Sequence, residues 1–154
     1  MKRLIFIIAA LITLSVSADN LTEEIRKKEF NTKRGVALEG YDAVAYFMQN
    51  APVKGKDEFS YEYKGIKYHF SSEENMKMFM NDPEKFEPMY GGWCAYAMGH
   101  SGRKISINPK TFKIMDGKLY VFYNSWGDNT LKKWNKKPLE YKKAADANWQ
   151  KYIK

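Results

Sequence analysis

The chain has 154 residues, of which 44% are hydrophobic and 16% aromatic, with one cysteine and a formal net charge of +8. A single cysteine excludes an internal disulfide, so stability must come from an ordinary core, and the length suits one compact domain. The positive charge favours anionic surfaces such as lipid headgroups or cell-wall polymers. Nucleic acid is not expected as a partner, because the lysines are spread widely and form no arginine-rich stripe.

The first 18 residues are typical of an export signal. Lys2 and Arg3 form a basic start, Leu4–Leu14 an apolar run, and Ala18 ends a small-residue cleavage site. The apolar run is shorter than the roughly 20 residues that cross a bilayer. We therefore expect cleavage near Ala18 and a periplasmic or secreted protein with no transmembrane anchor; an uncleaved anchor is the alternative.

Residues 19–34 are polar and charged and are interpreted as a tether or frayed helix, which leaves residues 35–154 as the domain. Hydrophobic residues alternate along "FSYEYKGIKYHFS", which predicts a β-hairpin with one aromatic face that turns at Lys64–Gly65. His69 falls on the opposite face of this hairpin. The stretch "FKIMDGKLYVFYN" predicts a second hairpin that turns at Asp116–Gly117.

Helical patterns follow each hairpin. Ser71 and Glu74 have the spacing of a capping box. The helical stripe behind this box consists of Met76, Phe79 and Met80. Asp82–Pro83 predicts the cap and first position of another short helix, residues 131–134 suit a third, and the tail from Pro138 predicts a closing helix. Strand pairs that alternate with helices indicate an α+β fold.

Five stretches together resemble the exported YHS-domain proteins, a family named for a Tyr-His-Ser signature. They are "GVALEGYDAVAYF", "YHFSSEENMKMF", "DPEKFEPMYGGWCAYAMG", "DGKLYVFYN" and "KKAADANW". The resemblance runs from Gly35 to Trp149 and implies a small YHS/TRASH-like module related to treble-clef zinc knuckles. Because the wider group is regarded as metal-binding, it also implies a soft metal ion or metal cofactor as the ligand.

The chain departs from the family's metal-binding pattern at every cysteine. The resemblance places Ala45 at the knuckle cysteine, and Ser71 and Asn75 at the helix-start pair. Alanine offers no ligand atom, and a hydroxyl or an amide replaces a thiolate poorly. A structural zinc ion is therefore not expected, and Ser71 is better explained as a helix cap.

The segment "YGGWCAYAMGH" holds the only cysteine. Gly91 and Gly92 permit a tight backbone approach before Trp93 and Cys94. Cys94 is interpreted either as a small buried hydrophobe or as a ligand or redox thiol. A thiolate, a thioether and an imidazole together suit copper(I) or haem iron. The candidate metal ligands are Cys94, Met98, His100 and, if the fold brings it near, His69.

Each of these residues also has a structural interpretation. Met98 suits a core gap filler, His100 an exposed loop residue, and His69 a residue on the polar face of a hairpin. Asp42 is expected to cap a turn or to accept a hydrogen bond from a buried tyrosine. The tyrosines considered for that bond are Tyr46 and Tyr90.

The sequence favours a non-enzymatic, exported binding module that handles a soft metal ion or metal cofactor, with copper and haem as candidates. The alternative is a metal-free interaction domain that uses exposed aromatic residues to bind a protein partner or an apolar ligand. A thiol enzyme is the third hypothesis, and it has thin support because the sequence contains no recognised catalytic motif beyond the lone cysteine.

Overall fold

The structure, a computed structural model, describes residues 22–154. The predicted export signal, its cleavage site and the first residues of the predicted tether lie outside the described residues. Within residues 22–154, no helix has both the length and the apolar character needed to cross a membrane.

Residues 22–29 form a helix, α1, where the sequence suggested a tether or frayed helix. Two ion pairs join it to the domain. The Arg26 guanidinium lies 2.6 Å from the Glu87 carboxylate, and the buried Glu29 carboxylate lies 2.8 Å from the Lys104 ammonium. The hydrogen bond from Lys104 lowers the pKa of Glu29. Helix α1 is therefore part of the packed fold.

The larger β-sheet has four strands in the order β1-β2-β4-β3. Their bounds are Thr32–Lys33 for β1, Val36–Ala37 for β2, Lys56–Tyr63 for β3 and Ile66–Phe70 for β4. Strands β3 and β4 pair antiparallel, and β2 joins β4 in parallel. Lys64 and Gly65 turn the β3–β4 hairpin with φ angles of 45° and 79°. The predicted first hairpin is therefore confirmed.

A short 3-10 turn and three helices pack around this sheet: Leu38–Gly40, α2 at Ala45–Met48, α3 at Glu73–Asn81 and α4 at Pro83–Phe86. Ser72 caps α3, because its hydroxyl accepts a 3.1 Å hydrogen bond from the Asn75 amide. The capping box predicted at Ser71 and Glu74 was therefore wrong by one residue. The Ser71 hydroxyl donates to Asp42 instead, at 2.6 Å.

The apolar face of α3 is narrower than predicted. Phe79 is fully buried and Met76 is half-buried, but the side chain of Met80 is 45% exposed. Pro83 begins α4 directly after Asp82, as predicted, and buries Phe86 in the core. A proline at this position costs little because the first amide of a helix has no intrahelical acceptor.

The second half of the chain begins with a 3-10 turn at Met89–Gly92 and helix α5 at Ala95–Ser101. Two hairpins follow: β5 at Asn108–Met115 with β6 at Lys118–Phe122, and β7 at Asn124–Ser125 with β8 at Asp128–Asn129. Helix α6 then spans Thr130–Trp134, and helix α7 spans Pro138–Gln150. Asp116 and Gly117 turn the β5–β6 hairpin with φ angles of 51° and 69°. The second hairpin, the short helix and the closing helix are thus confirmed.

Two aromatic clusters form the core. In the first, Phe79 packs against the rings of Tyr68 and Phe70 with centroids 4.6 Å and 5.1 Å away. The second surrounds the buried Trp134, where α7 closes over α5. A side chain at Gly99 would collide with the backbone carbonyl of Tyr141, so this glycine permits the close approach of α5 and α7. The fold is α+β, as predicted.

Candidate functional site

The position at which the family resemblance implies a metal contains a buried carboxylate. Asp42 is fully buried, and its Oδ1 atom accepts hydrogen bonds from the amides of Val44 and Ala45, at 2.9 Å and 3.1 Å. These bonds cap the turn that leads into α2, as expected for Asp42. Its Oδ2 atom accepts from the Ser71 amide at 2.8 Å, the Ser71 hydroxyl at 2.6 Å and the Asn75 side-chain amide at 2.7 Å.

Residues 45, 71 and 75 are the three positions that the resemblance assigns to thiolate ligands. Ala45 contributes a backbone amide, and both Ser71 and Asn75 point donor hydrogens at the same oxygen of Asp42. A metal ion needs lone pairs directed at it, whereas this cluster directs hydrogens at a carboxylate. These residues therefore do not fit a soft metal ion.

The tyrosines considered as partners of Asp42 bond elsewhere. The Tyr46 hydroxyl donates to the carbonyl of Pro109 at 2.7 Å, and the Tyr90 hydroxyl donates to the carboxylate of Asp146 at 2.8 Å. Burial raises the pKa of both tyrosines well above the ordinary value. The predicted Tyr–Asp bond to Asp42 is therefore wrong, because each tyrosine reaches a different acceptor in the core.

Cys94 is fully buried where the 3-10 turn meets α5. Its Sγ atom lies 3.4 Å from the Thr130 hydroxyl oxygen. That hydroxyl already donates its one hydrogen to the carbonyl of Tyr123 at 2.7 Å, so the thiol must be the donor in the sulfur contact. The surroundings of Cys94 are those of a small buried thiol.

Gly91, before Cys94, permits a close approach to its backbone, as predicted. The groups that approach it are aromatic rings of the protein and not a ligand. Gly91 has a φ of 59°, and a Cβ there would lie 2.8 Å from the ring of Trp149 and 3.0 Å from that of Phe30. Gly92 also has a positive φ, of 81°. The indole nitrogen of Trp93 donates to the carbonyl of residue 29 at 2.6 Å, which ties α1 to this turn.

The other candidate ligands have separate surroundings. Met98 is fully buried in the second core cluster, whereas Cys94 belongs to the first. His69 lies on the polar face of β4, with its Nε2 atom 3.3 Å from a carboxylate oxygen of Asp57 but without hydrogen-bond alignment. His100 is exposed in the last turn of α5, not in a loop, and stacks on Tyr96 at 5.2 Å. Within residues 22–154, no group of three or more His, Cys, Asp or Glu side chains is arranged to hold a metal ion.

A cleft of about 360 Å³ opens between α1, the 3-10 turn at Met89–Gly92 and the end of α7. Its walls are mostly apolar. The apolar residues that line it are Ile25, Phe30, Pro88, Met89, Trp149 and Ile153. Of these, Ile25, Phe30, Met89 and Ile153 are only half-buried, so they are reachable from solvent.

Polar side chains at the edge of the cleft form hydrogen bonds with one another. The Glu87 carboxylate accepts from the guanidinium of Arg26 at 2.6 Å and from the hydroxyl of Tyr68 at 2.6 Å. Burial, reinforced by the Glu87 charge, raises the pKa of Tyr68 well above the ordinary value. Arg26 also lies over the ring of Phe30, 4.3 Å from its centroid. The cleft therefore has a hydrogen-bonded ion pair at one edge.

This cleft was not among the predicted sites. Four of its lining residues, Thr22, Ile25, Arg26 and Phe30, lie in the predicted tether, and Glu87 pairs with Arg26 of the same segment. A signal was present, since Ile25 and Phe30 are apolar residues within an otherwise charged stretch. Residues of this kind often mark the buried side of a helix.

The comparisons with known proteins agree with the resemblance seen in the sequence. Residues 44–90 match the family model of the YHS domain. The matched range begins one residue before α2, ends in the 3-10 turn, and contains Ala45, Ser71 and Asn75. No curated protein and no solved structure matches the chain. Residues 44–90 of the chain therefore match a YHS domain.

Proposed function

We propose that this chain is a non-enzymatic binding module that takes a small apolar ligand in the cleft beside α1. The observation that carries the proposal is the cleft itself, with six apolar lining residues and a fixed ion pair at its edge. Its volume of about 360 Å³ falls within the roughly 300–1,000 Å³ that is usual for small-molecule sites. It develops one branch of the alternative predicted from the sequence, a metal-free domain that binds an apolar ligand.

The charges at the edge of the cleft favour an uncharged ligand. Arg26 is paired with Glu87, and the Lys118 ammonium donates to the backbone carbonyl of Glu84 at 3.1 Å. An apolar ligand leaves both interactions in place and gains free energy from leaving water at about 25 cal/mol per Å² buried. The ion pair then serves to orient a weakly polar end of the ligand.

Soft-metal handling, the leading hypothesis from the sequence, has weaker support. The positions assigned to metal ligands by the resemblance contain donors that are directed at Asp42. The thiol of Cys94 is buried and donates to Thr130. Copper(I) or haem binding at Cys94 would require the chain to break these contacts and to bring His69 or His100 to the sulfur atom.

A matched pair of charge substitutions tests the proposal. Ile153→Asp places a carboxylate in the cleft, and Leu139→Asp places one on a side chain that is 73% exposed and does not line the cleft. Titration with the neutral dye Nile red, followed by fluorescence, should show binding to the wild type and to Leu139→Asp. Ile153→Asp should bind about tenfold more weakly, because a charge desolvated in an apolar site is unfavourable.

Two results would contradict the proposal. One is equal dye binding by both variants with unchanged melting temperatures, which would place the apolar site elsewhere. The other is tight copper(I) or haem binding that is lost in Cys94→Ala and weakened in His69→Ala or His100→Ala. That pattern would restore the metal hypothesis.

We also propose that the protein is exported and cleaved near Ala18, which yields a periplasmic or secreted domain. The basic start, the apolar run and the small residues at positions 16–18 support this. Mass spectrometry of protein isolated from the extracytoplasmic fraction should give a chain that begins at or near Asp19. Ala18→Arg should block processing and leave a longer precursor. Recovery of the full-length wild type in the cytoplasm would contradict export.

A further inference from the structure

The tip of the β7–β8 hairpin carries a fully exposed tryptophan. Trp126 is 98% exposed, and Ser125 and Gly127 on either side of it are exposed as well. The strands are two residues long and pair as Asn124 with Asn129 and Ser125 with Asp128. The hairpin therefore presents an aromatic ring to solvent on a narrow, tightly held turn.

The local energetics of the turn do not favour tryptophan. Trp126 has a φ of 52° and Gly127 a φ of 79°, so both central residues adopt the left-handed conformation of a tight hairpin turn. Asparagine, aspartate or glycine adopts that conformation readily, whereas a bulky side chain is strained in it. The exposed ring also buries almost no surface in compensation. A contact outside the chain would account for the indole at this position.

Positive charge is concentrated in the same part of the chain. Residues 103–154 contain 13 Lys and Arg residues against 4 Asp and Glu, whereas residues 19–102 contain 11 against 14. The basic character of the protein therefore belongs to the portion that carries the β7–β8 hairpin. A charge asymmetry of this kind favours an interaction with an anionic surface.

Several lysines lie close to the base of the hairpin. Exposed Lys132 and Lys133 follow it directly on α6, which Asn129 caps. Lys133 pairs with Asp128 at 2.9 Å, which neutralises the acidic residue of the turn. On the other side, exposed Lys110 lies beside Asn108, whose side chain donates to the backbone carbonyl of Asn124 at 3.3 Å.

We propose that the tip of the β7–β8 hairpin and the lysines around it dock on an anionic lipid bilayer. Trp126 enters the interface between headgroups and acyl chains, where indole rings are favoured, and Lys110 and Lys132 contact lipid phosphates. Two separate signals of this kind are needed for stable peripheral binding, since one weak anchor gives only marginal attachment. This surface is distinct from the apolar cleft, so neither proposal depends on the other.

The first test uses vesicles of phosphatidylcholine alone and vesicles with phosphatidylglycerol added. The wild type should sediment with the anionic vesicles only, and its tryptophan emission should shift to shorter wavelength. Trp126→Asn should lower the vesicle partition coefficient about tenfold, the loss expected for one indole removed from an apolar environment. The melting temperature of this variant should be no lower than that of the wild type, because asparagine tolerates the left-handed conformation. Lost binding with retained stability separates docking from folding.

The second test moves charge while leaving Trp126 in place. Lys110→Glu with Lys132→Glu should weaken binding to anionic vesicles by about fivefold or more per lysine. The control, Lys67→Glu with Lys85→Glu, makes the same change at two exposed residues in the net-acidic part of the chain and should bind as the wild type does.

Three outcomes would overturn the proposal. The first is equal binding to neutral and anionic vesicles. The second is equal loss of binding in the test and control charge variants, which would indicate a general charge effect. The third is binding to a soluble polyanion such as polyphosphate that is as tight as binding to vesicles and is unaffected by Trp126→Asn. That result would assign the surface to an anionic polymer rather than to a bilayer.

Discussion

Replacement of Asp42 by asparagine should strongly destabilise the domain. The carboxylate has two backbone donors at Oδ1 and three further donors at Oδ2, all within 3.1 Å. Asparagine keeps the shape of the side chain but replaces one acceptor atom by an amide group that can only donate. Whichever way the new side chain is oriented, this amide faces at least two donors.

The magnitude follows from the number of donors that lose their acceptor. If the asparagine oxygen takes the place of Oδ2, the amides of Val44 and Ala45 are left without a partner in a fully buried environment. Each buried donor without a partner costs about 1–3 kcal/mol, and hydrogen bonds to a charged acceptor are stronger than those to an amide. We expect Asp42→Asn to lower the free energy of unfolding by about 3–5 kcal/mol. For a domain of this size, that corresponds to a fall in melting temperature of about 10–20 °C.

Thermal and urea unfolding followed by circular dichroism measure this loss. Asp57→Asn makes the same chemical change on a side chain that is 92% exposed and should alter the free energy of unfolding by less than about 0.5 kcal/mol. A cost below 1 kcal/mol for Asp42→Asn would refute the reasoning, because the five hydrogen bonds would then have little net value. A wild type that is itself strongly stabilised by added metal would refute it as well.

Four further predictions follow from the buried groups. A strong chelator should leave the melting temperature unchanged, because residues that donate to a carboxylate do not hold structural zinc; a large drop would contradict this. Cys94 should resist alkylation in the folded protein, and Cys94→Ala should cost about 1 kcal/mol for the small volume lost; fast native-state labelling would contradict burial. Tyr120→Phe should be neutral or stabilising, because the buried Tyr120 hydroxyl has no hydrogen-bond partner within the described residues, whereas Tyr90→Phe should destabilise. Lys104→Met should reduce stability at neutral pH, because Lys104 pairs with the ionised carboxylate of Glu29. This effect should decline as the pH falls from 4.5, the ordinary value, through the lowered pKa of Glu29 in the fold; a pH-independent loss would contradict the pairing.

The local structure was well predicted where the sequence itself encodes the geometry. Both main hairpins turn at a residue pair that ends in glycine, and all four turn residues have positive φ. The alternation of apolar residues on either side of each pair then sets which face is buried. The start of α4 at Pro83 is equally local, since proline suits the first position of a helix.

Features that depend on tertiary partners were predicted poorly. Two adjacent serines, Ser71 and Ser72, could each cap α3, and the choice is decided by Asp42, which is 29 residues away from Ser71 in the sequence. Residues 19–34 were predicted to be a tether because they are polar, but Arg26 and Glu29 form ion pairs with residues of the domain. A high content of charged residues predicts exposure to solvent, but it does not predict which charged side chains form ion pairs in the fold.

The spacing of the candidate metal ligands in the sequence also failed to predict which of their side chains lie together. Cys94 and Met98 are four residues apart, a spacing that brings side chains together on one helix face. Cys94, however, precedes the first residue of α5, and its thiol points to Thr130, whereas Met98 enters the second cluster. Strand alternation placed His69 on the polar face of its hairpin, but it carries no information on the distance to Cys94.

The Asp42 cluster joins two parts of the domain without a cysteine at the positions that the resemblance assigns to metal ligands. The carboxylate of Asp42 caps the turn before α2 and accepts hydrogen bonds from Ser71 and Asn75 at the start of α3. Hydrogen bonds therefore hold the turn and the helix together. The cleft combines Met89 and Glu87 from the YHS match at residues 44–90 with α1 and α7 from outside it. Since Trp149, Ile153 and Ile25 lie beyond the matched residues, the family match alone does not specify the ligand proposed for this cleft. Its preference must therefore be sought in the flanking helices, and substitutions there should change binding while the Asp42 cluster and the fold remain intact.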